Sequence, residues 1–245
     1  MAKEPKQNRK RKEGEIIGEY LFCHADRKKY SISWNQNSAL LHRLALTMKL
    51  DENSDICGYL VRSLYFDSIY DDDYFDKING LEFRKKIRLR IYSPNQENVK
   101  LEVKQKQGTA QKKKSLLIPK DLAEEMIQGR YVGLLDIDSE LAGQFYQLLE
   151  EGCYRPKCIV EYHRVAFVED SNDIRITLDS EIGTDYICED FFRTDLFLLP
   201  VRREPVLEVK YNGFLLSNIK QILDFTDAPE MAVSKYALSR QILGT

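Results

Sequence analysis

The sequence predicts an α+β fold in which an antiparallel β-barrel, wrapped by helices, encloses a polar interior. Several segments alternate strictly between charged and apolar residues, which is typical of strands with one charged and one apolar face. The charged faces together hold ten basic and five acidic groups, although the whole chain has a net charge of −2. Outward faces would share the charge balance of the whole surface, so this excess favours a common interior with apolar residues outside.

Composition indicates a chain with a substantial hydrophobic core. Of the 245 residues, 43% are hydrophobic, and no apolar run reaches the ~18–20 residues that cross a bilayer. The N-terminus has no apolar secretory segment, so we expect a cytoplasmic protein without a membrane span. Five scattered cysteines and three histidines without zinc-ligand spacing argue against a disulfide framework and a zinc site.

The first residues are predicted to form a disordered basic tail, residues 1–14, followed by one domain over residues 15–245. Residues 1–13 carry six basic and two acidic groups without periodicity, which leaves 31 basic and 37 acidic residues in the remainder. A basic set of strand faces is therefore unusual in the body of this chain.

The domain begins with a strand, a helix and a second strand. Polar and apolar residues alternate over residues 29–34, which predicts the first strand. Apolar residues at helical spacing predict a helix over residues 35–50, with Asn37 or Ser38 as its N-cap. Residues 58–67 are rich in Tyr, Val and Phe and predict the next strand.

The strongest alternation follows an Asn79-Gly80 turn signal. Residues 81–92 carry charges on every second position, and residues 99–106 repeat the pattern, so both predict strands. A lysine triplet at 112–114 is expected in a loop that leads into a strand over residues 115–118.

Two helices and three strands are predicted next. Residues 119–128 begin with proline and residues 139–151 precede a glycine, as helices often do. Residues 158–168, 173–179 and 206–211 are the predicted strands. Closing helices, the second with Ser234 as its N-cap, are predicted over residues 215–225 and 234–243.

The charged faces require an anion, because enclosed like charges repel and desolvated lysines lose protons. The basic positions are Lys29, Arg84, Lys86, Arg88, Arg90, Lys100, Lys104, Lys106, Arg175 and Lys210. The acidic positions are Glu82, Glu102, Asp173, Asp179 and Glu208. Guanidinium groups favour phosphate oxygens, and Glu102 and Glu208 favour Mg²⁺ or Mn²⁺ bridging those oxygens.

The chain resembles the VTC domain, the polyphosphate polymerase domain of the triphosphate tunnel metalloenzyme (CYTH-like) superfamily, and within it the compact bacterial members. The resemblance covers roughly residues 27 to 241 and rests on ordered motifs: Lys29-Tyr30, SLYFD at 63–67, RKKIRLRIY at 84–92, LEVK at 101–104, EYHR at 161–164, RITLD at 175–179, LEVKY at 207–211 and SKY at 234–236. It implies an eight-stranded antiparallel tunnel that transfers the γ-phosphoryl group of ATP to polyphosphate, with nucleoside triphosphate and polyphosphate as partners and Mn²⁺ or Mg²⁺ as cofactor.

The resemblance also assigns roles to single residues. Phosphate-binding roles fall to Lys29, Arg88, Arg90, Lys104, Arg164, Arg175 and Lys235, with Lys114 as a further match whose register is open by one or two residues. We expect Arg84, Lys86 and Lys210 to contact phosphate as well, with Arg84 and Lys86 near a tunnel mouth. The catalytic set is Arg88, Arg90, Lys104, Arg175 and Glu208, and Glu208, with Glu102, is the expected metal ligand.

Other functions stay open at this point. A hydrolase of triphosphate or short polyphosphate, or a polyphosphate-binding sensor without catalysis, would use the same basic faces. The Glu-x-Glu-x-Lys signature of the hydrolytic and cyclase branches is absent before Lys29, which favours polymerase over those branches. Neither the tail nor the strand faces indicate binding of a specific nucleic acid.

Overall fold

The fold is an α+β structure around one antiparallel sheet, as expected. The computed structural model describes residues 18–23, 26–108, 110–224 and 227–244, so the predicted tail at 1–14 lies outside the described residues. The strands are β1 (Gly18–Cys23), β2 (Asp26–Ser31), β3 (Lys49–Leu50), β4 (Tyr59–Ser68), β5 (Phe83–Ile91), β6 (Asn98–Gln107), β7 (Ala110–Pro119), β8 (Tyr154–Glu169), β9 (Ile174–Asp185), β10 (Leu199–Pro200) and β11 (Val206–Tyr211). The helices are α1 (Trp34–Ala45), α2 (Asp72–Ile78), α3 (Lys120–Ile127), α4 (Glu140–Glu151), α5 (Ser217–Asp224) and α6 (Lys235–Leu243).

The sheet has eleven strands among the described residues, so the expected count of eight was wrong. Its hydrogen-bonded path is β1-β7-β6-β5-β4-β8-β9-β11-β2, with every neighbouring pair antiparallel, while β10 pairs with β9 and β3 with β8. The path ends at β1 and β2, and no backbone pairing between these two edges is seen in the described part of the chain. The edge strands β1 and β2 run in the same direction. They are consecutive in sequence, so the chain connects the two ends of the sheet covalently.

Apolar residues cover the outside of the sheet beneath the helices. One buried cluster lies between the outer faces of the four strands β4, β5, β6 and β7 and the helices α3 and α4. It includes Ile87, Leu89 and Phe145. A second joins α1 and α5 to β8, β9 and β11, and it includes Leu44 and Phe167. Burying each such side chain contributes about 1.5–3 kcal/mol, so the outer layers hold the sheet curved around its charged face, here called the luminal face.

The lumen is not purely polar. A third buried cluster on the luminal side contains Val61, Val160 and Tyr162 together with Val233 and Tyr236 from the segment that begins α6. The C-terminal helix thus fills part of the interior instead of lying outside it. None of the described helices is long and apolar enough to cross a membrane.

Two local predictions were wrong for identifiable reasons. Helix α1 starts earlier than expected because Ser33 is its N-cap: the Ser33 hydroxyl accepts from the Gln36 backbone, and the Gln36 side chain accepts from Ser33 N–H at 2.7 Å. Strand β7 starts at Ala110, so the lysine triplet at 112–114 lies within a strand and alternates between its faces. The Ser234 N-cap of α6 is confirmed.

Candidate functional site

A basic cavity of about 660 Å³ lies on the luminal face of the sheet. Nine of the predicted site residues line it: Lys29, Arg84, Lys86, Arg88, Arg90, Lys104, Arg164, Glu208 and Lys235. In total, twelve Lys and Arg residues and two Glu residues line it. This imbalance means that the cavity suits a ligand with several negative charges.

The register of β5 and β6 explains why the basic side chains converge. Arg84 pairs with Lys106, Lys86 with Lys104, and Arg88 with Glu102, all on the luminal face. Like charges directly opposite each other on a sheet are destabilising. Strand pairing thus places cations along the cavity wall. Of these three pairs, only Arg88 with Glu102 includes a carboxylate.

Glu102 neutralises one wall of the cavity, and this corrects its predicted role as a metal ligand. The carboxylate is 1% exposed and accepts from Arg88 Nε and Nη2, both at 2.7 Å, and from Lys113 Nζ at 2.5 Å. Burial opposes ionisation, but Arg88 and Arg90 hold the pKa of Glu102 well below its usual range. Both oxygens are occupied by cations, so Glu102 holds Arg88 and Lys113 in place.

Lys113, and not Lys114, faces the interior. Lys114 points the other way, and its Nζ donates to Gln144 Oε1 of α4 at 2.5 Å. Neighbouring residues of a strand alternate between faces, so a slip of one position exchanged the two lysines in the sequence-based assignment.

Asp179 organises the opposite wall, a role that the sequence-based assignment missed. Its carboxylate is fully buried and accepts from Arg164 Nε at 2.6 Å, Arg164 Nη2 at 2.8 Å and Lys235 Nζ at 2.6 Å. Burial opposes ionisation, but Arg164 and Lys235 keep the pKa of Asp179 well below its usual range. The available signal was its position in RITLD, on the same strand face as the predicted Arg175.

Several cavity lysines are strained electrostatically. Burial, with the charges of Arg88 and Arg90, lowers the pKa of Lys104 well below its usual value. Burial, with the charge of Lys29, lowers the pKa of Lys86 to about 7. A bound polyanion would raise the pKa values of Lys104 and Lys86 again, because it supplies negative charge where the protein supplies little.

Glu208 is a more exposed carboxylate of the cavity wall, and its contacts with cations are longer than those of Glu102. Its Oε2 lies 3.3 Å from Lys29 Nζ and its Oε1 lies 3.3 Å from Arg27 Nε, and its side chain is 22% exposed against 2% for Glu102. Burial opposes ionisation, but these two cations hold the pKa of Glu208 at about 2, so it is an anion at neutral pH. The second cavity glutamate is Glu230.

These donors restrict how a metal could bind. Within the described residues, no group of three or more His, Cys, Asp or Glu side chains could hold an ion by itself. Mg²⁺ in phosphate-binding proteins is commonly held by one or two carboxylates together with substrate phosphates. The residues present fit that mode through Glu208, and they do not fit a cage made by the protein alone.

Three predicted phosphate contacts lie outside the cavity. Lys114 faces α4, as described, and Lys210 and Arg175 pair with each other in the β11–β9 register beyond the lining. Arg175 forms an ion pair with Asp51 and lies 3.5 Å from the Tyr59 hydroxyl. Position on a luminal face therefore does not by itself place a side chain in the cavity.

The start of α6 and luminal tyrosines complete the site. Lys86 Nζ donates to Ser234 Oγ at 2.6 Å, and Lys29 Nζ donates to the Val233 carbonyl at 3.0 Å. Tyr236 stacks on Tyr65 with ring centroids 5.0 Å apart, and the Tyr65 hydroxyl accepts from Arg88 at 3.2 Å. Sequence reasoning missed these tyrosines, because tyrosine is common in strands and carries no charge pattern.

Comparisons with known proteins agree with this architecture. The structure is similar to a candidate adenylate cyclase from Bacillus halodurans, with TM-score 0.52 and 11% identity over 86% of this chain and 96% of that chain. It is also similar to the candidate adenylyl cyclase HpAC1 from Hippeastrum, which has a dominant triphosphatase activity, with TM-score 0.53 and 14% identity over 88% of this chain and 94% of that chain. At these identities the likeness shows the fold alone. No curated protein matches the sequence.

The sequence itself matches the VTC domain over residues 24–243, which span all of the basic cavity's lining and all of the described helices. The chain therefore belongs to the VTC domain family.

Proposed function

We propose that the protein is a metal-dependent polyphosphate polymerase of the cytoplasm, which transfers the γ-phosphoryl group of ATP to the end of a polyphosphate chain. The observation that carries this proposal is the cavity wall, with twelve basic and two acidic side chains. Membership of the VTC domain family supports the same substrate class.

The basic side chains would act by positioning and by charge stabilisation, which supply most of the catalysis in phosphoryl transfer. Arg88 and Arg164 are each anchored by a buried carboxylate, and both residues line the cavity. Anchored donors lose little freedom when phosphate binds, which favours binding of the transition state as well as the substrate. Lys104 and Lys86 add charge from the neighbouring strands.

Glu208 would hold the divalent metal together with phosphate oxygens of the substrate. A bound Mg²⁺ or Mn²⁺ neutralises charge that develops on those oxygens. Lys29 and Arg27 keep the Glu208 carboxylate ionised and oriented, so that it is ready to accept the metal with the substrate.

A hydrolase of triphosphate is the second candidate. The structural neighbour HpAC1 has a dominant triphosphatase activity, and the same basic cavity would hold inorganic triphosphate as well as the end of a longer chain.

Incubation with ATP and Mn²⁺ separates these functions. Long-chain polyphosphate with release of ADP supports the polymerase, and released phosphate without polymer supports the hydrolase. Neither product, with retained binding of polyphosphate, identifies a sensor. Glu208→Gln serves as the matched variant, and it should lose turnover while still binding polyphosphate; full turnover in this variant would refute the metal role.

A further inference from the structure

Two of the sequence motifs contain residues to which the proposed function gives no role. In the SLYFD motif, Asp67 is fully buried and lies outside the cavity lining. In the SKY motif, Ser234 and Lys235 contact charged groups of the cavity wall, and Tyr236 is 1% exposed. The Tyr236 hydroxyl donates to Asp67 Oδ2, although 169 positions separate the two residues. A buried hydrogen bond therefore joins the two motifs.

Asp67 is held at the end of β4 by the start of α2. Its Oδ1 accepts from the backbone N–H groups of Ser68 at 2.8 Å and of Asp73 at 2.9 Å. Its Oδ2 accepts from the backbone N–H of Tyr74 at 2.9 Å. The N–H groups in the first turn of a helix have no partner within the helix, so Asp67 satisfies two of them in α2. The Tyr236 hydroxyl thus meets an acceptor whose position the fold has already set.

Tyr236 is held from several sides. Its ring stacks on Tyr65, as described above, and packs edge to face on Tyr74 with centroids 6.5 Å apart. Its hydroxyl donates to Asp67 and also accepts from Arg240 Nη1 at 2.9 Å, one turn further along α6. Both hydrogen-bonding directions of the hydroxyl are therefore used, and this fixes the first turn of α6 relative to β4 and α2.

The segment that begins α6 makes three contacts with charged groups of the cavity. These are Lys86 Nζ with Ser234 Oγ at 2.6 Å, Lys29 Nζ with the Val233 carbonyl at 3.0 Å, and Lys235 Nζ with Asp179 Oδ2 at 2.6 Å. Lys86 Nζ also lies 5.7 Å from the centre of the Tyr236 ring. A displacement of this segment would therefore move three lysines of the cavity at once.

We propose that Asp67 and Tyr236 are positioning residues for phosphate binding, because their hydrogen bond holds the start of α6 where the lysines that contact it converge on the bound anion. This inference rests on the proposed binding of phosphate in the cavity. Asp67 acts through Tyr236 and needs no contact with the anion itself. Donors that are already in place lose less freedom when the anion binds, so the hydrogen bond increases affinity.

Calorimetric titration with inorganic triphosphate tests the positioning role. Tyr236→Phe keeps the ring and removes only the hydroxyl, and the affinity should fall about three- to tenfold, the scale of one hydrogen bond. Tyr154→Phe is the matched control, because the buried Tyr154 hydroxyl donates to Asp73 Oδ2 at 3.0 Å and neither residue lines the cavity. Both variants should lower the free energy of unfolding, but only Tyr236→Phe should lower the affinity.

A double-mutant cycle with Lys235 separates positioning from a general loss of stability. In a Lys235→Met background, Tyr236→Phe should lower the affinity less than in the wild type, because one of the lysines that it positions is gone. A purely structural role would lower the free energy of unfolding and leave the affinity of the folded protein unchanged. Asp67→Asn alters the other partner of the same hydrogen bond and should show the same coupling, so the test remains available if Tyr236→Phe folds poorly.

Three results would overturn the proposal. One is wild-type affinity in folded Tyr236→Phe or folded Asp67→Asn, with folding checked by urea unfolding. Another is a loss of affinity in Tyr154→Phe as large as that in Tyr236→Phe. The third is an equal effect of Tyr236→Phe with and without Lys235. Absence of triphosphate binding in the wild type would instead refute the proposed function itself.

Discussion

Replacing Lys104 with methionine should weaken phosphate binding while making the ligand-free protein more stable. Lys104 lies on the luminal face with Lys86 opposite it on β5 and Lys113 opposite it on β7. Among the residues that the structure describes, no carboxylate lies within ion-pairing distance of its ammonium group, and burial lowers its pKa. The charge of Lys104 is therefore unfavourable in the free protein, and a bound anion would stabilise it.

The expected magnitudes follow from this environment. Burial of a polar group without a partner costs about 1–3 kcal/mol, so Lys104→Met should raise the free energy of unfolding by an amount of that order. A charge-assisted hydrogen bond contributes about 1.5–3 kcal/mol, so triphosphate affinity should fall about ten- to hundredfold. Most substitutions in a protein interior destabilise, which makes the combination of higher stability and weaker binding a specific signature.

Urea unfolding without ligand and calorimetric titration with inorganic triphosphate measure the two effects. Lys114→Met is the matched control, because it removes the same charge from a neighbouring strand on the outer face, and it should leave affinity unchanged. Unchanged affinity in Lys104→Met, or a loss of stability as large as that of an ordinary core substitution, would refute the idea that the cavity is strained without an anion.

Three further predictions concern the neighbouring charges. At pH 8 a lysine with a pKa of about 7 is roughly nine-tenths neutral, so triphosphate binding should take up about 0.9 proton at Lys86, and affinity should fall as the pH rises above 7. Calorimetry in buffers of different ionisation enthalpy measures this uptake. Asp179→Asn should lower the free energy of unfolding by about 3–5 kcal/mol, because Arg164 and Lys235 stay buried without their partner. Triphosphate at a hundredfold excess over its Kd should restore about 2.7 kcal/mol in urea unfolding. The pKa of Asp179 is lower in the folded state than its unfolded value of 3.8. The ionised carboxylate therefore stabilises the wild type above pH 3.8, and this stabilisation is lost as the pH falls below 3.8. Glu208→Gln should raise the Mg²⁺ concentration needed for triphosphate binding without weakening metal-free binding, as measured by titration with and without EDTA.

Each of these predictions has a contradicting result. The same proton uptake in wild type and Lys86→Gln would remove Lys86 as the titrating group. An Asp179→Asn variant as stable as the wild type would show that the buried cations have another partner. A Glu208→Gln variant with wild-type metal dependence would place the metal elsewhere.

The alternation of residues 81–92 predicted the strand β5 and its basic face because a strand places every second side chain on one side. The same reasoning could not distinguish Lys113 from Lys114, since the start of β7 sets which of the two faces inward, and it was mistaken for a loop. The period of the sequence shows which side chains share a strand face, whereas the register of the strands determines which residues lie opposite them.

The sequence also could not predict how far along each strand a side chain lies relative to the cavity. Arg175 and Asp179 share a face of β9, yet Asp179 holds cavity cations and Arg175 pairs with Asp51 outside the cavity lining. Their difference depends on the stagger of strands that are distant in sequence. The buried role of Glu102 was hidden for the same reason, because its partners lie on β5 and β7.

A crystal structure of the protein grown with inorganic triphosphate tests the central claim most directly. We expect phosphate groups inside the cavity, with oxygens within hydrogen-bond distance of Arg88, Arg90, Lys104 and Lys235. Triphosphate bound on the outer surface beside an empty cavity would contradict it.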